Sequence, residues 1–291
     1  EKSTNPNKKS YTDQQKAVAQ EWDNATTNVG FAIISGHGVS PDLIRSMRHH
    51  AQSFFEDNNE DAKLKYHHGP YGTPLGGYSG VGIESVGNTR SEHGEWGDDD
   101  NDNHPTKHEQ TPDPVESYVF FPESPEAHPP PLDEVSREYH TALRGVLTSL
   151  HRLTEAALDL PHGFFDDYYP GDYFLRLAYY PPLLPPHAAT TADTTVNVDT
   201  ATDDDVSMRY GAHTDYTGFT ILLQDDTDGR SPQHGGLQVL LKNKTWQFVK
   251  PHADCFVVNI GDLYEVWTNG KWQSTVHRVL RPTNAEAKLA S

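Results

Sequence analysis

The stretch RYGAHTDYTGFTILLQ, Arg209 to Gln224, sets a histidine and an aspartate two residues apart just ahead of an apolar run. Alternate side chains of a β-strand share a face, so His213 and Asp215 at the start of a strand Phe219–Gln224 can offer two ligands to one ion. The spacing alone is weak evidence in a chain with 17 histidines. His252-Ala253-Asp254 repeats it, and His93-Gly94-Glu95 nearly does. A third ligand decides between them. His277 lies in STVHRVL, Ser274 to Leu280, an alternating strand pattern far along the chain from Asp215. His252, by contrast, follows Pro251 between two apolar runs and reads as a solvated turn. Two neutral imidazoles and one carboxylate on one face of an octahedron are the donor set of mononuclear non-haem iron, with three positions left open.

Around this stretch the sequence after Pro161 breaks into short β-rich runs. They cover Tyr173–Tyr180, Phe219–Gln224, Leu237–Leu241, Trp246–Lys250, Cys255–Ile260, Leu263–Trp267 and Thr275–Leu280. Turn signals separate them, among them Gly235-Gly236, Lys242-Asn243, Gly261-Asp262 and Asn269-Gly270. Many short, evenly spaced strands predict a barrel or jelly roll. The Thr/Asp-rich segment 187–206 is nearly free of large apolar residues and reads as a flexible acidic insertion.

The N-terminal part is different. Thr12-x-x-Gln15 is a capping-box pattern for a helix over 13–28, and Phe31–Gly36 is a short strand. Ser40-Pro41-Asp42 opens a second helix ending near Glu56. Val135, Tyr139, Leu143, Val146, Leu150 and Leu153 recur at helical spacing within a long amphipathic helix over 132–158. The Gly-, Asp-, His- and Pro-rich stretch 86–115 is expected to be a loop suited to act as a lid. The fold class expected is mixed and mainly β: a jelly-roll core over 161–291, a helical region with short strands over 1–160, and one cooperative unit. Both ends read as trimmed.

The chain carries 42 acidic against 23 basic residues, a net charge of −19. So acidic a surface repels phosphate backbones and anionic lipid, which argues against nucleic-acid and membrane partners. No apolar run reaches membrane-spanning length. The single cysteine, Cys255, excludes an internal disulfide and is expected to be a buried, inert thiol. A soluble, reducing, cytoplasmic setting fits these features, and nothing points to a protein partner.

The ordered motifs of the chain resemble those of the iron(II)- and 2-oxoglutarate-dependent dioxygenases of the isopenicillin N synthase-like group. GFAIISGHGV (Gly30 to Val39), Gly77-Tyr78 and LRLAYYPP (Leu175 to Pro182) come first. HTDYT (His213 to Thr217), GLQV (Gly236 to Val239), VNIGD (Val258 to Asp262), WTNG (Trp267 to Gly270) and STVHRV (Ser274 to Val279) follow in family order. The resemblance implies a double-stranded β-helix holding Fe(II) on His213, Asp215 and His277. It implies 2-oxoglutarate and dioxygen as co-substrates, ascorbate as a reductant, and a small-molecule substrate that is hydroxylated, desaturated or cyclised. It also implies co-substrate contacts from Tyr180 and Arg176, and a substrate pocket that includes Tyr78, Phe121 and Tyr216.

One feature departs from the family. An arginine fork suits the far carboxylate of 2-oxoglutarate, and the family supplies it from R-x-S after the distal histidine. The tail after His277, RVLRPTNAEAKLAS, has no R-x-S. The simplest account is that the chain stops just before that motif; Arg281, which shares a strand face with His277, is an alternative source of the arginine but reads better as a solvated residue at the strand end. Ala178 stands where many relatives have asparagine. The alternatives left open are an Fe(II) oxidase that does not use 2-oxoglutarate, a hydrolytic zinc site, and a non-catalytic jelly-roll binding protein.

Overall fold

The computed structural model describes residues 11–68, 76–84, 113–166, 168, 173–181, 208–225 and 236–281. The acidic segment 187–206, His93-Gly94-Glu95 and nearly all of the expected lid lie outside the described residues.

Helix α1 (Asp13–Asn28) begins as its sequence dictates. Thr12 Oγ1 accepts the Gln15 backbone N–H, and Gln15 Oε1 accepts the Thr12 N–H, so two otherwise orphaned donors are satisfied reciprocally. Strand β1 (Phe31–Ile34) leads to α2 (Pro41–Glu56), with proline in its first turn, and then to the short α3 (Glu60–Leu64). Strands β2 (Gly77–Ser79) and β3 (Glu116–Phe120) precede α4 (Pro130–Ala157). Along α4, Leu132, Val135, Tyr139, Leu143, Val146 and Leu150 form the buried stripe that the periodicity predicts. The helix packs with α1 and α2.

The C-terminal elements are β4 (Leu175–Tyr179), β5 (Met208–His213), β6 (Phe219–Leu222), β7 (Gly236–Leu240), β8 (Trp246–Phe248), β9 (Phe256–Ile260), α5 (Asp262–Trp267) and β10 (His277–Leu280). They form antiparallel sheets in the orders β1-β9-β6 and β5-β10-β7-β8, while β4 joins the N-terminal strands as β2-β3-β4. Phe31, Leu237, Val239 and Val257 pack together between the first two sheets, which therefore face each other as in a jelly roll. On β9 the alternation assigns the two faces. Phe256, Val258 and Ile260 join the large core with Trp22 and the α2 and α4 side chains, while Val257 faces the interior between the sheets. Asn259 is on the Val257 side.

Three expectations need correction. Leu263–Trp267 is helical, because Gly261 caps it and Asp262 and Glu265 favour a helix start. His213 and Asp215 do not open the strand Phe219–Gln224: His213 ends β5, and Asp215 lies in the turn before β6. Strand β5 has a glycine inside it and no β-branched residue, so its Met208, Tyr210, Ala212 alternation was easy to miss. Cys255 is half-buried and precedes β9 rather than lying within it.

The core also holds histidines that must stay neutral. His151 is 6% exposed, with its ring 5.2 Å from Phe165 and 5.8 Å from Phe219. Burial lowers its pKa to about 4, outweighing the opposite pull of Glu155. Burial also lowers His128 and His140. A histidine lowered on folding leaves stability intact above its unfolded value of about 6.5 and removes it as the pH falls toward the folded value. His151 alone accounts for a loss of order 3 kcal/mol by about pH 4. Urea unfolding between about pH 7.5 and pH 4.5 is expected to show this loss, and His151→Phe to flatten the profile. An unchanged slope in that variant would remove His151 as the cause.

Candidate metal centre

The β5–β10 pairing sets His213 directly opposite His277. Their rings lie 4.2 Å apart between centroids, tilted by 54°. The turn after β5 then brings Asp215 between them, with Oδ1 3.5 Å from His213 Nε2 and 3.6 Å from His277 Nε2. Donor atoms bound at about 2.1 Å to one ion stand about 3 to 3.5 Å apart; Asp215 is close to that spacing from both imidazoles, and all three donors lie within 4.8 Å of one another. Among the described residues these three form the cluster of His, Cys, Asp and Glu side chains close enough to hold an ion.

Backbone carbonyls settle which nitrogen each imidazole offers. The His213 Nδ1–H donates to the Gly211 carbonyl at 2.8 Å, and the His277 Nδ1–H to the Thr275 carbonyl at 3.0 Å. A carbonyl only accepts, so each Nδ1 carries the proton and each Nε2 presents a lone pair to the shared point. His277 is 8% exposed; burial and the neighbouring His213 hold its pKa below the usual value, against Asp215 and the Thr275 carbonyl. It stays neutral, as a metal ligand must.

Asp215 is oriented just as firmly. Thr220 Oγ1 donates to its Oδ2 at 2.5 Å and Asn259 Nδ2 at 2.7 Å. Thr220 and Asn259 are cross-strand partners on β6 and β9, so one register position supplies both donors. Burial raises the Asp215 pKa, but His213, His277, Thr220 and Asn259 together outweigh it and hold the carboxyl well below its usual range. With Oδ2 engaged, Oδ1 is left as a single anionic ligand. Thr220→Val and Asn259→Ala are each expected to lower metal affinity about 10- to 100-fold. Calorimetric titration of the apo-protein with Mn(II) reads this directly, and wild-type affinity in both would refute the orienting role.

A polar network adjoins the centre. Glu84, 1% exposed, accepts from Ser117 Oγ at 2.5 Å, Arg176 Nη2 at 2.5 Å and Tyr210 OH at 3.1 Å. The Tyr210 ring lies 5.1 Å from that of His213, and the Arg176 guanidinium lies over the same ring at 5.1 Å. Arg176 is thus one side chain removed from a metal ligand and is charge-compensated by Glu84. Tyr180 follows β4, with the Arg209 guanidinium 5.8 Å from its ring. Burial chiefly raises its pKa to about 12, so its hydroxyl keeps its proton. Arg281 donates from Nε to the Met208 carbonyl across β5, and His252 is exposed in its turn, as expected.

The expected substrate residues divide. Tyr216, beside Asp215, is 68% exposed. Tyr78 is 1% exposed, and its hydroxyl is committed to Glu60 and Glu116, so it belongs to the core. Phe121 packs against Phe174 at the opposite end of β3 from Ser117. Neither ring is among the ring contacts of His213 and His277, which within the described residues are Tyr210, Phe31 and each other. Glu84, Tyr210, Thr220 and Asn259 carry the surroundings of the centre; Tyr210 and Thr220 lie in the stretch Arg209 to Gln224 and Asn259 in VNIGD, without a role read for any of them, and Glu84 lies in no motif.

Comparisons with known proteins agree with this geometry. Residues 171–291 match the 2OG-Fe(II) oxygenase superfamily, and residues 6–137 match the family region described as non-haem dioxygenase in morphine synthesis N-terminal. The chain is 32% identical over 276 residues to the 2-oxoglutarate-Fe(II) type oxidoreductase ppzC of Metarhizium majus, covering 91% of this chain and 68% of that protein. It is 30% identical to homoarginine-6-hydroxylase 2-ODD-233 of Oryza sativa subsp. japonica, covering 90% and 73%. In fold it is similar to a full-length Neurospora crassa protein solved in complex with alpha-KG and 5-formyluracil (TM-score 0.66, 23% identity, 93% and 74% covered). No described helix is long and apolar enough to cross a membrane. Likeness along nine-tenths of its length, with the two family regions in order, shows that this chain belongs to the 2OG-Fe(II) oxygenase superfamily, in its isopenicillin N synthase-like branch.

Proposed function

We propose that the protein couples oxidative decarboxylation of 2-oxoglutarate to oxidation of a C–H bond in a small metabolite, by hydroxylation, desaturation or cyclisation. The observation that carries this reading is the convergence of His213 Nε2, Asp215 Oδ1 and His277 Nε2 on one point. Two neutral nitrogens and one carboxylate oxygen on one side fit Fe(II) with open positions better than they fit a closed structural site. Iron bound there would supply the activation of dioxygen that side chains cannot perform.

The protein supplies the rest. His213 and His277 hold their Nε2 atoms forward through Nδ1–H bonds to backbone carbonyls, and Thr220 and Asn259 hold Asp215 to one coordinating oxygen. Tyr180, protonated at working pH, can donate to a co-substrate carboxylate, and Arg176 offers a cation beside the ligands, with Glu84 balancing its charge when nothing is bound. Tyr216 is suited to the rim of a substrate pocket; Tyr78 and Phe121 serve packing. The relatives' names, an oxidoreductase of 2-oxoglutarate-Fe(II) type and a homoarginine hydroxylase, support a small-molecule substrate.

The test uses the purified full-length protein with Fe(II), ascorbate and 2-oxoglutarate. Succinate formation that needs both iron and 2-oxoglutarate, and rises with the true substrate, is the expected result. Oxygen uptake with a substrate but without succinate would replace this reading with an Fe(II) oxidase. Absence of oxygen uptake with every substrate class would leave a binding protein.

A further inference from the structure

We propose that Asp262 is a positioning residue that braces together the two chain segments carrying the metal ligands. Its Oδ2 accepts from Thr214 Oγ1 at 3.3 Å, and Thr214 is the residue between His213 and Asp215. Its Oδ1 accepts from Ser274 Oγ at 2.5 Å, three residues before His277. Its backbone N–H donates to the Asp215 carbonyl at 2.7 Å, and the preceding Gly261 N–H donates to the Gly218 carbonyl at 2.8 Å. One residue at the start of α5 therefore holds the Asp215 turn by its main chain and ties that turn to the His277 segment by its side chain.

The strand ladder needs such a brace. β5 and β10 pair at His277 and His213, but the register shifts between His277 and Val279 and again before Leu280. Backbone pairing at a bulge leaves the local geometry less determined than in a regular ladder. The ligand atoms meet at that irregular end. Thr214 is 6% exposed, so its hydroxyl has little water to turn to if the carboxylate is lost. Each Asp262 oxygen accepts from one hydroxyl, and Asp262 is not a member of the cluster formed by His213, Asp215 and His277. The proposal rests on the metal reading of the site, though not on the use of 2-oxoglutarate.

Mn(II) titration of the full-length apo-protein by calorimetry, together with its thermal unfolding, tests it. Asp262→Ala is expected to weaken Mn(II) binding roughly 10- to 100-fold. Asp262→Asn keeps an acceptor for Ser274 and offers a donor to the Thr214 hydroxyl, so it is expected to restore most of that affinity. Thr214→Val and Ser274→Ala each break one arm, and each should weaken Mn(II) binding on its own but add little on the Asp262→Ala background. If Asp262 only stabilises the first turn of α5, Asp262→Ala lowers the melting temperature while the folded protein binds Mn(II) as the wild type does. That result overturns the proposal, as does additivity of the three substitutions or a wild type that fails to bind Mn(II). Should Asp262→Ala not fold, the two hydroxyl variants and Asp262→Asn carry the test, and wild-type Mn(II) affinity in both hydroxyl variants refutes it. A wild type that binds Mn(II) but forms no succinate would sink the proposed reaction and leave the brace standing.

Discussion

Asp215→Ala is expected to abolish metal binding and turnover together, while His252→Ala leaves both at wild-type levels. The two substitutions probe the same His-x-Asp spacing at two places. Asp215 supplies the only carboxylate in the cluster, and its Oδ1 faces both imidazole Nε2 atoms. Without it, a dication would enter a largely buried site with two neutral ligands and no opposing charge, which the desolvation penalty forbids. Turnover should fall by at least about a thousandfold, equivalent to about 4 kcal/mol of transition-state stabilisation. His252 is exposed in a turn and touches none of the cluster's ligands. Mn(II) titration and succinate formation measure the two effects. Loss of metal in His252→Ala, or a wild-type titration in Asp215→Ala, would place the centre elsewhere.

How much of this was legible in the sequence depends on the kind of interaction. The capping box at Thr12 and the stripe on α4 were readable because each is a local pattern, fixed by residues three or four positions apart. The ligand types were readable too, since coordination chemistry restricts them so strongly. Their placement was not. A strand with Asp215 at i+2 was expected, but the structure uses a strand end and a turn, and both arrangements satisfy the same spacing. The helix at Asp262–Trp267 was lost because six residues are too few for period 2 and period 3.6 to be told apart. Thr220 and Asn259 are 39 positions apart and act as one unit only because β6 and β9 pair in that register. Glu84 is harder still. Nothing local marks it as the partner of Arg176 and Tyr210, and its burial is set by three distant elements.

Gly261→Ala is expected to damage the metal centre far more than Gly270→Ala, although the conformational argument alone predicts the reverse. Gly270 has φ +75°, where an alanine is strained, but a Cβ there meets nothing within 4 Å. Its cost is the left-handed backbone alone, about 1 kcal/mol, and metal affinity should not change. Gly261 has φ −96°, which any residue adopts. A Cβ there would lie 2.0 Å from the Thr217 carbonyl oxygen and 2.9 Å from that of Asp215. Both are backbone atoms, so relief requires moving the turn that carries Asp215 or the helix that follows Gly261. Overpacking of this kind costs about 3 kcal/mol or more. The displaced turn also loses the Gly261 N–H bond to Gly218 and the Asp262 N–H bond to Asp215. Urea unfolding should show the larger loss for Gly261→Ala, and Mn(II) titration of its folded fraction should show affinity lowered by more than about tenfold. Wild-type Mn(II) affinity in Gly261→Ala would mean that the Asp215 turn can shift without moving the ligand, and the centre would then be softer than its hydrogen bonds imply.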